Sequence, residues 1–262
     1  DYIAESKDLP YQRIETLNEM QTKKNLIVVT TIEAVLQKLP SKQTLYKNKI
    51  KLKVGESYSL DEIKKKLLKL GYTRCDLIEG RGQFSSRGGI LDVSINENTG
   101  IRIEFWGDEV DSIRNFSITS QRSINTLEKT TIYPAHEYIL EDNIEEICNR
   151  ILKTTKNKSQ KQIIEEDVEQ IKAGNYISKI DKYFECFYKQ SETILDYLNE
   201  NYVIFLDEIN KIKQREKNIS IDNKNLIKAL IEKDKIVPQS LEIFSNYQEI
   251  ENQINNKQIV YI

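Results

Sequence analysis

The chain has 262 residues, 39 basic and 41 acidic side chains, a net charge of −2 and a pI near 5.8. That length can hold one or two domains with a sizeable core, and the charge balance excludes a global attraction to nucleic acid or to an acidic membrane. The longest apolar runs, such as Val203–Leu206, are far too short to cross a bilayer, and scattered Cys75, Cys148 and Cys186 with a lone His136 argue against a zinc site and fit the reduced thiols of a cytoplasmic protein.

The chain opens at Asp1-Tyr2-Ile3-Ala4 without Met and closes on the strand-like Ile259–Ile262, the pattern expected of a piece excised from a larger protein. Residues 1–50 read as the end of an α/β unit. Asn25–Thr30 (NLIVVT) is apolar and β-branched, which predicts a parallel strand buried on both faces. Thr30 or Thr31 can cap a helix carrying Ile32, Val35, Leu36 and Leu39, which Pro40 ends. Further on, Ser59 and Glu62 have capping-box spacing, Ile63, Leu67 and Leu70 form one helical face, and Gly71 stands where a C′ glycine belongs. Lys64, Lys65, Lys66 and Lys69 then form a solvated outer face.

The composition changes between Glu79 and Arg122. Six of the nine glycines lie here (Gly80, Gly82, Gly88, Gly89, Gly100 and Gly107), with the single Trp106, and from Arg74 to Arg122 there are six arginines and no lysine. A turn-rich entry leads to a strand at Ile90–Ile95. Ile101, Ile103 and Phe105 then alternate with Arg102, Glu104 and Trp106, and a turn at Gly107-Asp108 precedes a strand at Val110–Ile118. The pattern predicts a small antiparallel meander. Past Pro134 the sequence becomes helical: Glu141–Leu152 and Ser159–Ala173 have apolar residues at helical spacing, with Gly174 as a stop. Tyr176–Leu198 is aromatic-rich, read as packing, with Ser191 placed to cap a short helix. Tyr202–Leu206 is a second buried-strand pattern, expected in one sheet with Asn25–Thr30, and helices are expected at Glu208–Asn218 and Asn223–Lys233.

Two motifs invite an enzymatic reading. Val203–Glu208 has the form of a Walker B strand, in which Asp207 would hold Mg²⁺ and Glu208 orient water. That chemistry also needs a phosphate cradle ending in Gly-Lys, and this chain contains no Gly-Lys pair, so Asp207 and Glu208 are at most vestigial and no cofactor or metal is expected. The acidic group Glu104, Asp108, Glu109 and Asp111 is better explained by turn chemistry and paired arginines. Arg87, Arg102 and Trp106 remain. Either Trp106 packs in the core and the arginines are solvated, or these residues centre a protein interface, where Arg and Trp are enriched. On that second reading, Glu104 would hold the Arg102 guanidinium.

Gly82-Gln83-Phe84, Arg87-Gly88-Gly89-Ile90-Leu91-Asp92 and Arg102–Asp111 resemble the second domain of the UvrB-type repair proteins. The Gly-Gly-Ile-Leu-Asp variant, Ser120–Ser123 and Tyr133-Pro134-Ala135-His136-Glu137 resemble, within that group, the bacterial transcription-repair coupling factors (the Mfd family), whose N-terminal module is UvrB-like. The resemblance implies an α/β fold in which a degenerate helicase-like (RecA-like) body is interrupted by a small inserted domain with a β-meander. Residues 1–51 would end helicase-like subdomain 1a, 52–135 would be the UvrA-binding-type domain, and 136–262 subdomain 1b. It further implies a docking function toward UvrA through Arg87, Arg102 and Trp106, where most relatives have Phe in place of Trp106. Catalysis would be absent from this piece, and the ATP-dependent DNA translocase, the RNA polymerase contacts and the DNA contacts would belong to other domains of the same polypeptide. The alternative is a fragment of UvrB, an ATP-dependent DNA-damage-binding helicase-like protein. A sequence-neutral DNA-binding module is a further possibility, against which the acidic pI argues.

Overall fold

A computed structural model describes residues 9–140, 143–154, 158–174, 177, 180–199, 201–232 and 244–262. The chain start at Asp1–Ala4 and the expected element ends at Glu141, Tyr176 and Lys233 lie outside the described residues. In chain order the first elements are α1 (Leu9–Thr22), α2 (Ile32–Leu36), α3 (Lys42–Lys47), β1 (Ile50–Lys53) and α4 (Leu60–Lys69). Six strands follow: β2 (Thr73–Arg74), β3 (Gln83–Arg87), β4 (Ile90–Ser94), β5 (Thr99–Trp106), β6 (Glu109–Ser117) and β7 (Ser123–Leu127). After β8 (Lys129–Ile132) come α5 (Ile144–Lys153), α6 (Lys158–Lys172), α7 (Phe184–Phe187), β9 (Val203–Leu206), α8 (Ile209–Glu232), α9 (Tyr247–Asn255) and β10 (Gln258–Tyr261). The fold is mixed α/β. Residues 9–18 and 43–140 group into one compact unit, and residues 19–42 with those from 143 onward into another.

In the first unit, β2 to β7 form a six-stranded sheet in the order β2-β3-β4-β5-β6-β7, antiparallel except for the short β2–β3 pair. The meander extends beyond the two long strands and the one at Ile90 that the alternation predicted. β3 occupies the stretch expected to be turns, because Phe84–Arg87 pairs residue for residue with Ile90–Val93. Phe84, Leu91, Val93, Ile101, Ile103 and Ile113 are buried and share one face by register. β1 and β8 pair antiparallel beside this sheet. Ser59 caps α4 by accepting from the Glu62 N–H, and Gly71 ends it with φ +87. A Cβ on Gly71 would come within 2.0 Å of the His136 ring, so glycine is required there by conformation and by space. His136 is buried, and burial pushes its imidazole pKa down to about 4.

In the second unit, α5 and α6 bury Ile147, Cys148 and Ile151, and Ile164, Val168 and Ile171, at the helical spacing the sequence shows. The aromatics pack as expected: Tyr183, Phe184, Phe187 and Tyr197 are buried, and the Tyr197 hydroxyl donates to the Pro40 carbonyl. The short turn at Ile194–Tyr197 is capped by Thr193, not Ser191, through a reciprocal capping box with Asp196.

Four expectations for this unit are overturned. Asn25–Thr30 is not a strand: it carries no ladder, and Ile27 and Val29 are 91% and 92% exposed. A parallel strand needs neighbours to satisfy its amides and layers to cover both faces, and among the described residues nothing pairs with this run. Consequently Asn25–Thr30 and Val203–Leu206 do not share a sheet; β9 pairs with β10 in a two-stranded parallel ribbon. β9 is also covered on one face only: Ile204 packs against Val35, Leu36, Leu195 and Ile250, whereas Val203 and Phe205 are exposed. Finally, the two helices expected after Glu208 are one continuous helix, α8, because Ile219–Asp222 contains neither Gly nor Pro to stop it.

Candidate protein-docking surface

The second face of the six-stranded sheet carries every sequence-predicted docking residue. By register, Arg87, Ile90, Glu104 and Ser112 form one cross-strand row, and Ser85, Asp92, Arg102 and Arg114 form the next. Trp106 stands two residues beyond Glu104 on β5, roughly 7 Å along the strand. Arg102 and Trp106 therefore flank Glu104 as the alternation predicts. Arg87 lies two strands away on β3, roughly 10 Å from Glu104.

The face is divided into a covered half and an open half. Over the covered half lies the segment from Cys75 to Gly82: the Ser85 hydroxyl donates to the Asp76 carbonyl, and Ile78 packs with Phe116 and Ile118. Gly100 makes room for this arrangement, since a Cβ there would lie 2.5 Å from the Phe116 ring. Ser85, Asp92 and Ser94 are buried although they share the polar face. The open half holds Arg87, Ile90 and Trp106. Trp106 is 86% exposed, which excludes the core reading of the tryptophan.

Arg102 sits at the boundary. Its Nε and Nη2 donate to the two carboxylate oxygens of Asp92, each at 2.7 Å, and its guanidinium lies 4.9 Å from the Phe116 ring centroid. This two-pronged bond to Asp92 raises the Arg102 pKa further and fixes the plane of the fork. Glu104 does not hold Arg102, as the sequence suggested; it accepts from Arg114 and from the Ser112 hydroxyl. The register explains the swap. Asp92 is the direct cross-strand partner of Arg102, whereas Glu104 is two residues along the same strand, and opposed residues on one face approach most closely. Arg87 is exposed and makes no ion pair among the described residues.

Two devices make the open half rigid. The Gly107-Asp108 turn is pinned from the side by residues 55–58: Tyr58 N–H donates to the Asp108 carbonyl at 2.7 Å, and Gly55 N–H to that of Val110 at 2.8 Å. The Gly88-Gly89 hairpin is pinned by Phe105 N–H donating to the Gly89 carbonyl at 2.8 Å. Any Cβ on Gly89 would press to 2.6 Å from the Phe105 carbonyl oxygen, so this glycine allows the two chains to meet. A bulge between Glu104 and Phe105 leaves Asp111 as the extra residue on β6.

The Walker-like pair is placed differently. Asp207 and Glu208 are both exposed at the end of β9; Glu208 has φ +54 and its carboxylate pairs with Lys211 at 2.7 Å. Among the described residues no group of His, Cys, Asp and Glu has a geometry that could hold a metal ion, and no helix is long and apolar enough to cross a membrane. Sequence reasoning missed Ile90 and Asp92 as parts of the surface. The cue was available in the period of two along Ile90–Ser94, which puts Ile90 and Asp92 opposite Leu91 and Val93.

A pinned β-meander thus presents a fixed guanidinium, an open guanidinium and an exposed indole on one face, the side-chain types enriched at the centres of protein interfaces. Residues 50–138 match the family model of the UvrB interaction domain. Over 94% of its length the chain is 31% identical to the transcription-repair-coupling factor of Bacillus subtilis. It is 28% identical, over its full length, to the proteins of that name from Staphylococcus aureus and Staphylococcus haemolyticus. The resemblance read from Gly82–Asp111 is thereby borne out: the chain carries a UvrB interaction domain and is a relative of the transcription-repair-coupling factors. It spans 22% of the length of the Bacillus subtilis protein.

Proposed function

We propose that this chain is the module through which a transcription-repair coupling factor recruits UvrA of nucleotide excision repair to stalled RNA polymerase. In this reading residues 52–135 are the docking domain, and residues 1–51 and 136–262 form the helicase-like body that carries it. The observation that supports it most directly is Trp106, 86% exposed on a pinned sheet beside Arg87 and the Asp92-clamped Arg102, within the UvrB interaction domain match. An exposed indole on a pinned scaffold gains apolar burial when a partner covers it, and Trp and Arg are the residues that anchor such interfaces. The relatives reported above carry the coupling-factor name, which favours this reading over a UvrB fragment.

Chemistry is assigned elsewhere in the polypeptide. This piece would need no cofactor, and the contacts to RNA polymerase and DNA, like the ATP-driven motor, would lie in other domains. Titrating purified UvrA onto the chain tests the docking. Arg87→Ala, Arg102→Ala and Trp106→Ala should each weaken binding by about 2–4 kcal/mol, with the melting temperature nearly unchanged for Arg87 and Trp106. Unchanged affinity in all three variants would reject the site. ATP turnover, with and without DNA, should be absent; turnover that vanishes in Glu208→Gln would reject the non-catalytic reading.

A further inference from the structure

The open half of the docking face contains an apolar side chain that the polar pattern of the strand does not require. Ile90 is 38% exposed, on the same face as Arg87, its direct partner on β3, and Glu104, its direct partner on β5. One exposed isoleucine is ordinary. This one stands next to a gap in the side-chain layer. Ile90 faces Glu104 and Trp106 stands two residues further along β5 on the same face, so the two are diagonal neighbours; beyond Ile90 the chain turns at Gly88-Gly89, which carries no side chain, and a Cβ built on Gly88 would meet nothing within 4 Å. The bond from Phe105 N–H to the Gly89 carbonyl holds that hairpin against β5 immediately before Trp106. Ile90 and the indole thus border an open, side-chain-free step on a rigid floor.

The charges around the step identify what fits it. Arg87 has no carboxylate partner among the described residues, and the acids near it on this face are already engaged, Asp92 by Arg102 and Glu104 by Arg114 and Ser112. An incoming group that brings its own anion can therefore pair with Arg87 without displacing an existing partner. Exposed Asp108, Glu109 and Asp111 at the β5–β6 hairpin oppose a polyanion such as DNA and are compatible with a single carboxylate beside an apolar side chain.

Resting on the UvrA-docking reading above, we infer that Ile90 is a docking residue whose partner is an acidic–apolar segment of UvrA. That segment seats one apolar side chain between Ile90 and Trp106 over Gly88 and one carboxylate on Arg87. Arg102, locked by Asp92, supplies a fixed donor at the rim.

The test is UvrA titration against the whole chain carrying Ile90→Thr, Ile90→Asp or Ile124→Asp. Ile124, 61% exposed against 38% for Ile90, lies on edge strand β7 of the same sheet and serves as the control. Ile90→Thr keeps the β-branched strand preference and should weaken binding about tenfold. Ile90→Asp also sets a carboxylate beside Arg87, in competition with that of the partner, and should weaken it further; Ile124→Asp should bind like the wild type. Circular dichroism and melting curves on each variant separate lost binding from lost fold, and Ile90→Thr carries the test if Ile90→Asp fails to fold. Wild-type affinity in both Ile90 variants, with binding still lost in Trp106→Ala, overturns this inference and leaves the docking reading standing. Equal weakening by Ile124→Asp overturns it as well. If the wild-type chain does not bind UvrA at all, the docking reading fails and this inference with it. Binding of a DNA duplex that is abolished in Arg87→Ala would replace the carboxylate by phosphate and overturn the choice of partner.

Discussion

The six-stranded sheet of the first unit and the β9–β10 ribbon of the second are written in similar residues, yet they are covered differently. In the larger sheet, alternation along β5 places Ile101, Ile103 and Phe105 inward, and all three are buried. Along β9, the same period of two places Ile204 on an apolar cluster but leaves Phe205 62% exposed and Val203 exposed. The difference lies in connection. β3 to β7 are joined by short hairpins and turns, so each strand finds its neighbour within a few residues. β9 and β10 are parallel, and the pair is closed by a crossover that includes α8 and α9. Periodicity tells which side chains share a face. Whether that face is covered depends on distant parts of the chain.

If this contrast is right, substitutions in the two sheets should differ sharply. The largest effect is expected at Ile103, fully buried at the centre of the six-stranded sheet. Ile103→Ala should cost about 3–4 kcal/mol, read from urea unfolding followed by hydrogen exchange at β4–β6 amides. A loss below about 1 kcal/mol would mean that the sheet is no better packed than the ribbon.

The second effect is a pH dependence confined to the first unit. His136 is held neutral with a pKa of about 4, below its unfolded value near 6.5. As pH falls, the unfolded chain takes up the proton first. Stability from this group is therefore full above pH 6.5 and is lost as pH falls toward 4, by about 3 kcal/mol in all. Melting curves between pH 7 and 5 should slope in the wild type and flatten in His136→Gln; equal slopes would remove the histidine from the account.

A smaller effect is expected at Asp92, whose buried carboxylate clamps the partly exposed Arg102. Asp92→Ala should destabilise the chain by about 2 kcal/mol, less than a fully buried pair because the guanidinium can reach water. It should also weaken UvrA binding, since Arg102 loses its fixed orientation. Stability that falls while affinity holds would make Asp92 purely structural. At the small end, Phe205→Ser on the uncovered face of β9 should change the stability of the isolated chain by no more than about 0.5 kcal/mol. A loss above about 1 kcal/mol would break the comparison by showing that the face is covered in solution.

Much of the candidate site was legible because it depends on local rules. The Gly-rich, Arg-rich window marked the meander, alternation put Arg102 and Trp106 together, and Ser59 and Gly71 bounded α4. The partner of Arg102 was not legible. Choosing Asp92 over Glu104 requires the β4–β5 register, a relation between residues ten apart. The face on which Ile90 lies was legible in the period of two along β4; that this face stays open at Ile90 and is covered at Asp92 was not, because it depends on where residues 75–82 lie. Asn25–Thr30 fails in the opposite direction: its composition is that of a buried strand, and composition cannot supply the neighbours that would make it one.

The sequence by itself determined the caps, the helical faces, the two-residue period and the residues available for docking, because each is set by covalent geometry and by neighbours a few positions away. Tertiary structure decided which carboxylate clamps Arg102, which half of the sheet stays open under Trp106, and which apolar strand remains uncovered. These outcomes turn on hydrogen-bond register and on burial, and both are properties of pairs of distant segments, which no single stretch of sequence contains.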